Sequence, residues 1–264
     1  MNLNYLAYDS PAKEATPLVI LHGLFGAGDN WATIAKALSE ERPVYAPDLP
    51  NHGASPHNDR FEYPDVAADV ADWLRRVGLN KVILLGHSMG GKVGMSLALH
   101  YPQLVAALIV ADIAPKTYRP RHGEELKAME AVRDRGARDR READGILAEE
   151  IDNRAIRAFL LKNYRELDGG AYGWRFNLDG VREWYAAISA WPEQEGAYPG
   201  PTLFVRGGRS PYVEVGDAER VTELFPRAEL VTIEEAGHWL HAERRDEFLS
   251  LVRDFLENRR EREK

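Results

Sequence analysis

Residues 81–92, KVILLGHSMGGK, constrain this chain more than any other stretch. Val82, Ile83, Leu84 and Leu85 make a continuous apolar run of strand-forming residues, the pattern of a parallel strand covered on both faces. The run stops at Gly86-His87-Ser88-Met89-Gly90, a Gly-x-Ser-x-Gly, and helix-compatible spacing follows over 88–101. A strand that folds directly into a helix brings side chains two residues either side of the turn into collision. Gly86 and Gly90 occupy those positions, and Gly91 and Gly94 let the helix lie close to its neighbours. Such a turn holds the hydroxyl of Ser88 in the open and aims the backbone N–H of Met89, at the helix start, toward any negative charge forming beside it. With Gly and Ser each at roughly 7% of residues, the bare pattern arises by chance in about one chain of this length in ten, so its weight lies in the strand before it and the helix after it. The same residues nearly spell the phosphate-cradling loop G-x-x-x-x-G-K-[ST]. Val93 stands where that loop needs a hydroxyl for magnesium, which sets nucleotide binding aside.

Similar runs flank this element. Residues 3–9, 17–22 (PLVILH), 44–46, 104–113, 201–206 and 228–233 read as strands. Helical spacing lies between them: Trp31, Ile34, Ala35 and Leu38 after a cap at Asp29 or Asn30; Val66, Val70, Trp73, Leu74 and Val77 within 65–77; then 213–225 and 239–256. Strands alternating with helices predict an α/β fold with a mostly parallel, doubly wound sheet, and such sheets bind ligands at the carboxyl ends of their strands. His22, Asp48, Ser88 and Asp112 all fall at such ends. The alternation stops over 116–199, where 124–135, 143–164 and 180–189 read as helices and Tyr172, Trp174 and Phe176 form an aromatic cluster. That segment carries too many apolar residues at helical spacing to stay unpacked. The expected organisation is a core of 1–115 and 200–264 with a helical cap, 116–199, inserted in it. Residues 259–264 read as a solvated charged tail.

Attack on an ester carbonyl needs a nucleophile, a base, an acid that fixes the base, and donors for the oxyanion. Ser88 is the candidate nucleophile. His238, preceded by Gly237 and placed after the last strand, is the candidate base, with His241 as its competitor one helical step further on. His57, His100 and His122 sit on polar segments that read as exposed. The usual position for the acid, after the strand before the last, reads GGRSP and carries Ser210 rather than an aspartate. Asp112 reaches the same histidine from the neighbouring strand end, with Ser210 expected to hydrogen-bond His238 and with Glu214 or Asp217 as outside alternatives. The N–H groups of Leu24 and Met89 are the natural oxyanion pair. An apolar acyl pocket is expected from Phe25, Met89, Ile113, Tyr118, Phe159, Trp174, Tyr212 and Trp239. Lys116, Arg119 and Arg121 read as a basic group near the cap that either holds a phosphate-bearing leaving group or forms part of a solvated surface.

The charge balance excludes other classes. Thirty-four basic residues against 42 acidic give a net charge of −8, which argues against a nucleic-acid-binding surface. Zero cysteines exclude disulfides, thiolate catalysis and Cys-ligated metals. The longest apolar run, 104–111, is too short to cross a bilayer, and the start, MNLNYLAYDS, has neither the basic nor the apolar region of a secretory signal. A cytoplasmic enzyme without a cofactor is therefore expected.

The segments HGLFGAGDNW (22–31), DLPNHGASPH (48–57), GHSMGGK (86–92), ADIAP (111–115), WRFN (174–177), RGGRSPY (206–212) and GHWLHAE (237–243) together resemble the α/β-hydrolase esterases of the bacterial YbfF type and the related mitochondrial abhydrolase-domain-11 proteins. WRFN and SPY are the specific segments; GHSMGG is shared across the superfamily. The resemblance implies hydrolysis of carboxylic esters, extending in some relatives to acyl thioesters such as acyl-CoA, with Ser88 and His238 catalytic. It leaves the acid open, because that group also carries Ser-Pro-Tyr in the usual acid position. Pro50 departs from the arginine common there. A lyase or carbon–carbon bond hydrolase on the same scaffold is the alternative activity, since the elbow does not fix the reaction. A non-catalytic binding module is a third reading, disfavoured because binding alone has no need of an intact Ser, His and oxyanion loop.

Overall fold

The structure, a computed structural model, describes residues 1–193 and 196–262. Its first part runs β1 (Tyr5–Tyr8), β2 (Leu18–Leu21), α1 (Ala32–Leu38), β3 (Val44–Pro47), α2 (Tyr63–Arg76), β4 (Val82–His87), α3 (Met89–His100) and β5 (Val105–Ala111). Then come α4 (Gly123–Asp134), α5 (Arg140–Leu147), α6 (Arg154–Leu161), the hairpin β6 (Tyr164–Glu166) and β7 (Tyr172–Trp174), α7 (Leu178–Glu183) and α8 (Tyr185–Ser189). The last part is β8 (Thr202–Gly207), α9 (Ala218–Leu224), β9 (Ala228–Ile233), α10 (Leu240–Glu243) and α11 (Arg245–Arg262).

Seven strands form one sheet in the order β1-β3-β2-β4-β5-β8-β9. Every ladder is parallel except that of β1 with β3. Strands β2, β4 and β5 are buried at every position, as their continuous apolar runs require. The period of two sorts their side chains into two cores. Leu18, Ile20, Ile83, Leu85 and Ile109 pack with Trp31, Ile34 and Leu38 from the α1 side and Phe248 and Val252 from α11. Val19, Leu21, Leu84, Leu108 and Val110 pack with Val70, Trp73 and Leu74 of α2 and Val93 and Leu97 of α3. Each such side chain contributes about 1.5–3 kcal/mol on burial, so a shift of register in any central strand would forfeit both cores together.

The turn from β4 into α3 depends on its glycines. A Cβ on Gly86 would overlap the carbonyl oxygen of Gly90, and one on Gly90 would overlap the carbonyl oxygens of Leu21 and His22. These obstacles are backbone atoms of central elements, which cannot move aside as a flexible side chain would. Gly90→Ala is therefore expected to lower stability by about 3 kcal/mol, read as a fall in the urea midpoint at unchanged slope; an unshifted midpoint would contradict this packing.

Several elements differ from their sequence expectations. The single helix predicted over 143–164 is two. Asp139 caps α5 by accepting from the N–H groups of Arg141 and Glu142, and Asn153 starts α6 in the same way through Ala155 and Ile156. An asparagine competes with the helix interior for backbone donors and so makes a boundary. The helix predicted over 239–256 breaks at Arg244, whose φ of −133° and ψ of 52° are not helical. The helices over 180–189 and 213–225 are likewise divided, the second into a 3-10 turn at Val215–Asp217 and α9. Tyr172 and Trp174 belong to the β6–β7 hairpin. Neither Asp29 nor Asn30 caps α1: both lie in a 3-10 turn, Gly28–Trp31, where Asn30 accepts from the Ala27 N–H at 3.0 Å. Asp29 instead takes the guanidinium groups of Arg165 and Arg175, each at 2.9 Å. The stretch 259–264, expected as a tail, is helical as far as Arg262, and residues 263 and 264 lie outside the described residues.

The segment between β5 and β8 packs over the carboxyl end of the sheet. Asn163 Nδ2 donates to the carbonyl of Phe25 at 2.7 Å, Tyr63 Oη to that of Ile188 at 2.6 Å, and the Asn177 N–H to that of Asn51 at 2.9 Å. Among the described residues no helix is long and apolar enough to cross a membrane.

Candidate active site

Ser88 sits between β4 and α3 with φ 52° and ψ −120°, a conformation that non-glycine residues avoid and that costs about 1–3 kcal/mol where it occurs. It is held there from both sides: its N–H donates to the Ala111 carbonyl on β5, and its carbonyl accepts the Lys92 N–H, closing the first turn of α3, both at 3.1 Å. The sharp turn leaves the side chain on a cavity wall. Met89 opens α3, and the first N–H of a helix has no intrahelical acceptor.

Asp112 follows β5 directly, is fully buried, and has φ 52°. Its carboxylate accepts from three directions. Oδ1 receives the Gly207 N–H at 2.9 Å; Oδ2 receives His238 Nδ1 at 2.7 Å and also the hydroxyl of Ser210. Ser210 thus bonds the carboxylate rather than the imidazole expected from the sequence, because the loop after β8 wraps the acid and not the ring. Glu214 and Asp217 are engaged elsewhere, 3.7 and 2.7 Å from Lys116 Nζ. With an ionised Asp112 on Nδ1, the proton of a neutral His238 lies at Nδ1 and Nε2 is left as the basic nitrogen.

Two further contacts hold His238. Tyr212 stacks on it, with ring centroids 4.0 Å apart and planes 19° apart. His87 donates from Nε2 to the His238 carbonyl at 2.9 Å. Burial first, and then the neighbouring His238 and His241, push the His87 pKa well below its ordinary value, so it stays a neutral donor. His241 is not in competition for Asp112. It stacks on Trp31 at 4.0 Å, and burial lowers its pKa to about 3.

Ser88 and His238 line one cavity of about 900 Å³, together with Leu24, Phe25, Phe159 and Trp239. Among the described residues no hydrogen bond joins the two side chains. A second, small chamber of about 40 Å³ is also lined by Ser88, together with Met89, Lys92, Ile113, Tyr118, Arg119 and Tyr63. Leu24, Arg121, His122 and Tyr212 border both. Tyr118 is locked at the small chamber, accepting the Ala114 N–H at 2.8 Å and donating to the Tyr212 carbonyl at 2.7 Å. Trp174, expected in the acyl pocket, lines neither space. It is buried against Tyr164 and Phe176 and spends its indole N–H on the Met129 carbonyl at 3.0 Å.

His122 and Lys92 are the site residues that sequence reasoning missed. His122, expected to be exposed, borders both chambers; its Nδ1 lies 2.5 Å from Tyr185 Oη and its ring meets Phe25 edge-on. Burial lowers its pKa to about 4, leaving it neutral. Its partners come from 63 and 97 residues away in the chain, so nothing local marked it. The DLPNHGASPH loop is rigid for a related reason: Asp48 accepts the N–H groups of Ala54 at 2.9 Å and Gly28 at 2.7 Å and the amide of Asn4 at 2.8 Å. Burial alone would raise its pKa, but those donors and nearby His22 lower it. Among the described residues no group of three or more His, Asp or Glu side chains is placed to hold a metal ion.

A parallel sheet carrying a strained serine between strand and helix, with an aspartate–histidine pair at the adjoining strand ends, defines an α/β hydrolase. Residues 16–244 match the family model described as alpha/beta hydrolase fold, and the chain belongs to that family. Within it the chain is 38% identical, over 98% of its length and 83% of the other's, to the sn-1-specific diacylglycerol lipase ABHD11 of Xenopus tropicalis. It is 36% identical to esterase YbfF of Escherichia coli K12, covering 97% of this chain and 99% of that one. Among solved structures it superposes on a marine microorganism esterase with a TM-score of 0.92 at 36% identity, over 97% and 99% of the two chains.

Proposed function

We propose that the protein hydrolyses carboxylic esters as a serine hydrolase, with Ser88 as nucleophile, His238 as general base and Asp112 as the acid that orients it. The observation that carries this reading is the 2.7 Å bond from His238 Nδ1 to Asp112, which leaves Nε2 unprotonated in the cavity that Ser88 shares. Catalytic hydrogen bonds are often long until substrate tightens them. Nε2 takes the hydroxyl proton as Oγ attacks the acyl carbon. The carbonyl electrons move onto oxygen, and the resulting oxyanion accepts hydrogen bonds from the N–H groups of Leu24 and Met89, each such donor being worth about 10²–10³ in turnover. Collapse expels the alcohol, which leaves with the proton carried by His238, and an acyl-Ser88 ester remains. Water, deprotonated by His238, repeats the sequence and releases the acid.

Phe25, Phe159 and Trp239 give the large cavity an apolar wall for the hydrophobic part of the ester, and segment 116–199 serves as the lid that shields it from water. Thioesters present the same carbonyl with a better leaving group and are accepted by the same machinery. The named esterases and lipases among the relatives support this reading. A fluorophosphonate probe tests it: one adduct is expected, on the peptide bearing Ser88, and none on Ser88→Ala. A folded protein that stays unlabelled would overturn the assignment.

A further inference from the structure

We infer that Asn163, in the segment proposed above as the lid, is a positioning residue for the oxyanion donor of Leu24, acting through two peptide units set head to tail between them. This deepens the ester-hydrolase reading above and rests on it.

A peptide unit is planar and trans, so its C=O and the N–H that follows point in opposite directions, and holding one end aims the other. Asn163, in the turn between α6 and β6, donates from Nδ2 to the Phe25 carbonyl at 2.7 Å. The other end of that unit is the Gly26 N–H, which donates to the Gly23 carbonyl at 3.0 Å. The other end of this second unit is the Leu24 N–H, which has no acceptor among the described residues. Donors and acceptors thus run in one direction from the lid amide to the place where the oxyanion forms. Hydrogen bonds in such a chain polarise one another, so Asn163 both aims the last donor and strengthens it.

The chain depends on being held at its far end. Residues 23–26 close a turn whose third member, Phe25, has φ 62°, a conformation that a non-glycine residue keeps where its surroundings impose it. The core holds the near side: His22 Nε2 accepts the Leu49 N–H at 2.9 Å, which leaves Nδ1 to donate to the Gly23 carbonyl at 2.9 Å. The lid holds Phe25, through Asn163 on its carbonyl and through the rings of Phe176 and His122, 5.4 and 5.8 Å from its own.

Asn163 is fully buried, and its Oδ1 has no hydrogen-bond partner among the described residues. A side chain kept for packing alone would avoid that penalty, as a leucine does. The orientation of its amide is fixed, because Nδ2 also lies 3.3 Å from Asn30 Oδ1, which the Ala27 N–H marks as an acceptor at 3.0 Å. Asn163 lines neither chamber, so it acts on the donor and not on the substrate.

Asn163→Leu removes the first donor of the chain and keeps the site filled. For p-nitrophenyl butyrate its kcat is expected to fall about 30-fold or more, approaching the loss of a whole oxyanion donor, with KM within about threefold of wild type. Acylation and deacylation both pass through an oxyanion, so the fall appears whichever is slower. Butylboronic acid, whose tetrahedral serine adduct places an oxygen where the oxyanion forms, is expected to lose affinity by the same factor. Asn163→Ala is the second variant should the leucine not fold. Asp139→Ala, which removes the side chain that caps α5, is the control: it lowers the melting temperature and leaves kcat within about twofold. The inference is overturned if a folded Asn163 variant keeps kcat or boronate affinity within about threefold of wild type, or if the loss lies in KM alone, as for a residue that merely fastens the lid. Failure of the wild-type protein to turn over the ester would instead count against the ester-hydrolase reading.

Discussion

Ser88→Ala is expected to lower kcat for a short-chain nitrophenyl ester by about 10⁶, the loss seen when the nucleophile of a serine hydrolase is removed. What would remain is the modest acceleration from the oxyanion donors and from binding, which alanine leaves in place because those donors are backbone groups. The variant should fold: the glycines that permit the elbow are untouched, and the two backbone hydrogen bonds of residue 88 do not involve its side chain. Equal melting temperatures for variant and wild type, with turnover nearly abolished, would isolate the chemistry. Turnover within tenfold of wild type would remove the proposed mechanism.

Asp112→Asn should cost about 10⁴ in kcat, because an amide in that position no longer holds the imidazole in the tautomer with its proton on Nδ1. The geometry sharpens the expectation. Oδ2 of Asp112 already receives two donors, His238 and Ser210. An asparagine that turns its oxygen toward them presents its NH₂ to the Gly207 N–H, and one that turns the other way presents NH₂ to the imidazole. Either orientation sets donor against donor. Asp217→Asn is the control, since that carboxylate neutralises Lys116, and its turnover should stay within a few-fold of wild type. Loss of activity in Asp217→Asn alone would reverse the choice of acid.

The strands, the elbow and the candidates at the strand ends were legible in the sequence because each is encoded locally. Continuous apolar runs specify strands covered on both faces, and the glycine spacing around Ser88 specifies a turn that few other sequences allow. His238 was legible from its place after the last strand. What could not be read is what depends on distant partners. Ser210 lies in the loop where a histidine partner was expected, but only the fold shows that its hydroxyl turns to Asp112, 98 residues away. Trp174 has the composition of a pocket residue and is instead claimed by Tyr164, Phe176 and the Met129 carbonyl. Nothing in GHSMGGK marks Lys92 as buried; its amine donates to the carbonyl of Ser189 on α8, 97 residues further on. Helix boundaries were missed where a single side chain, such as Asn153, outweighs a continuing apolar period.

The clasp around Asp112 bears on how the molecule is made. One carboxylate gathers residue 112 from the first half of the chain with residues 207, 210 and 238 from the end. A nascent chain exposes its serine and aspartate long before the histidine is synthesised, and closing so long a loop is the slow, entropically costly part of assembly. On the proposed assignment, catalytic competence therefore waits until residues 207, 210 and 238 have been made and docked on Asp112, and a nascent chain that has reached only Ser88 and Asp112 is inert toward esters.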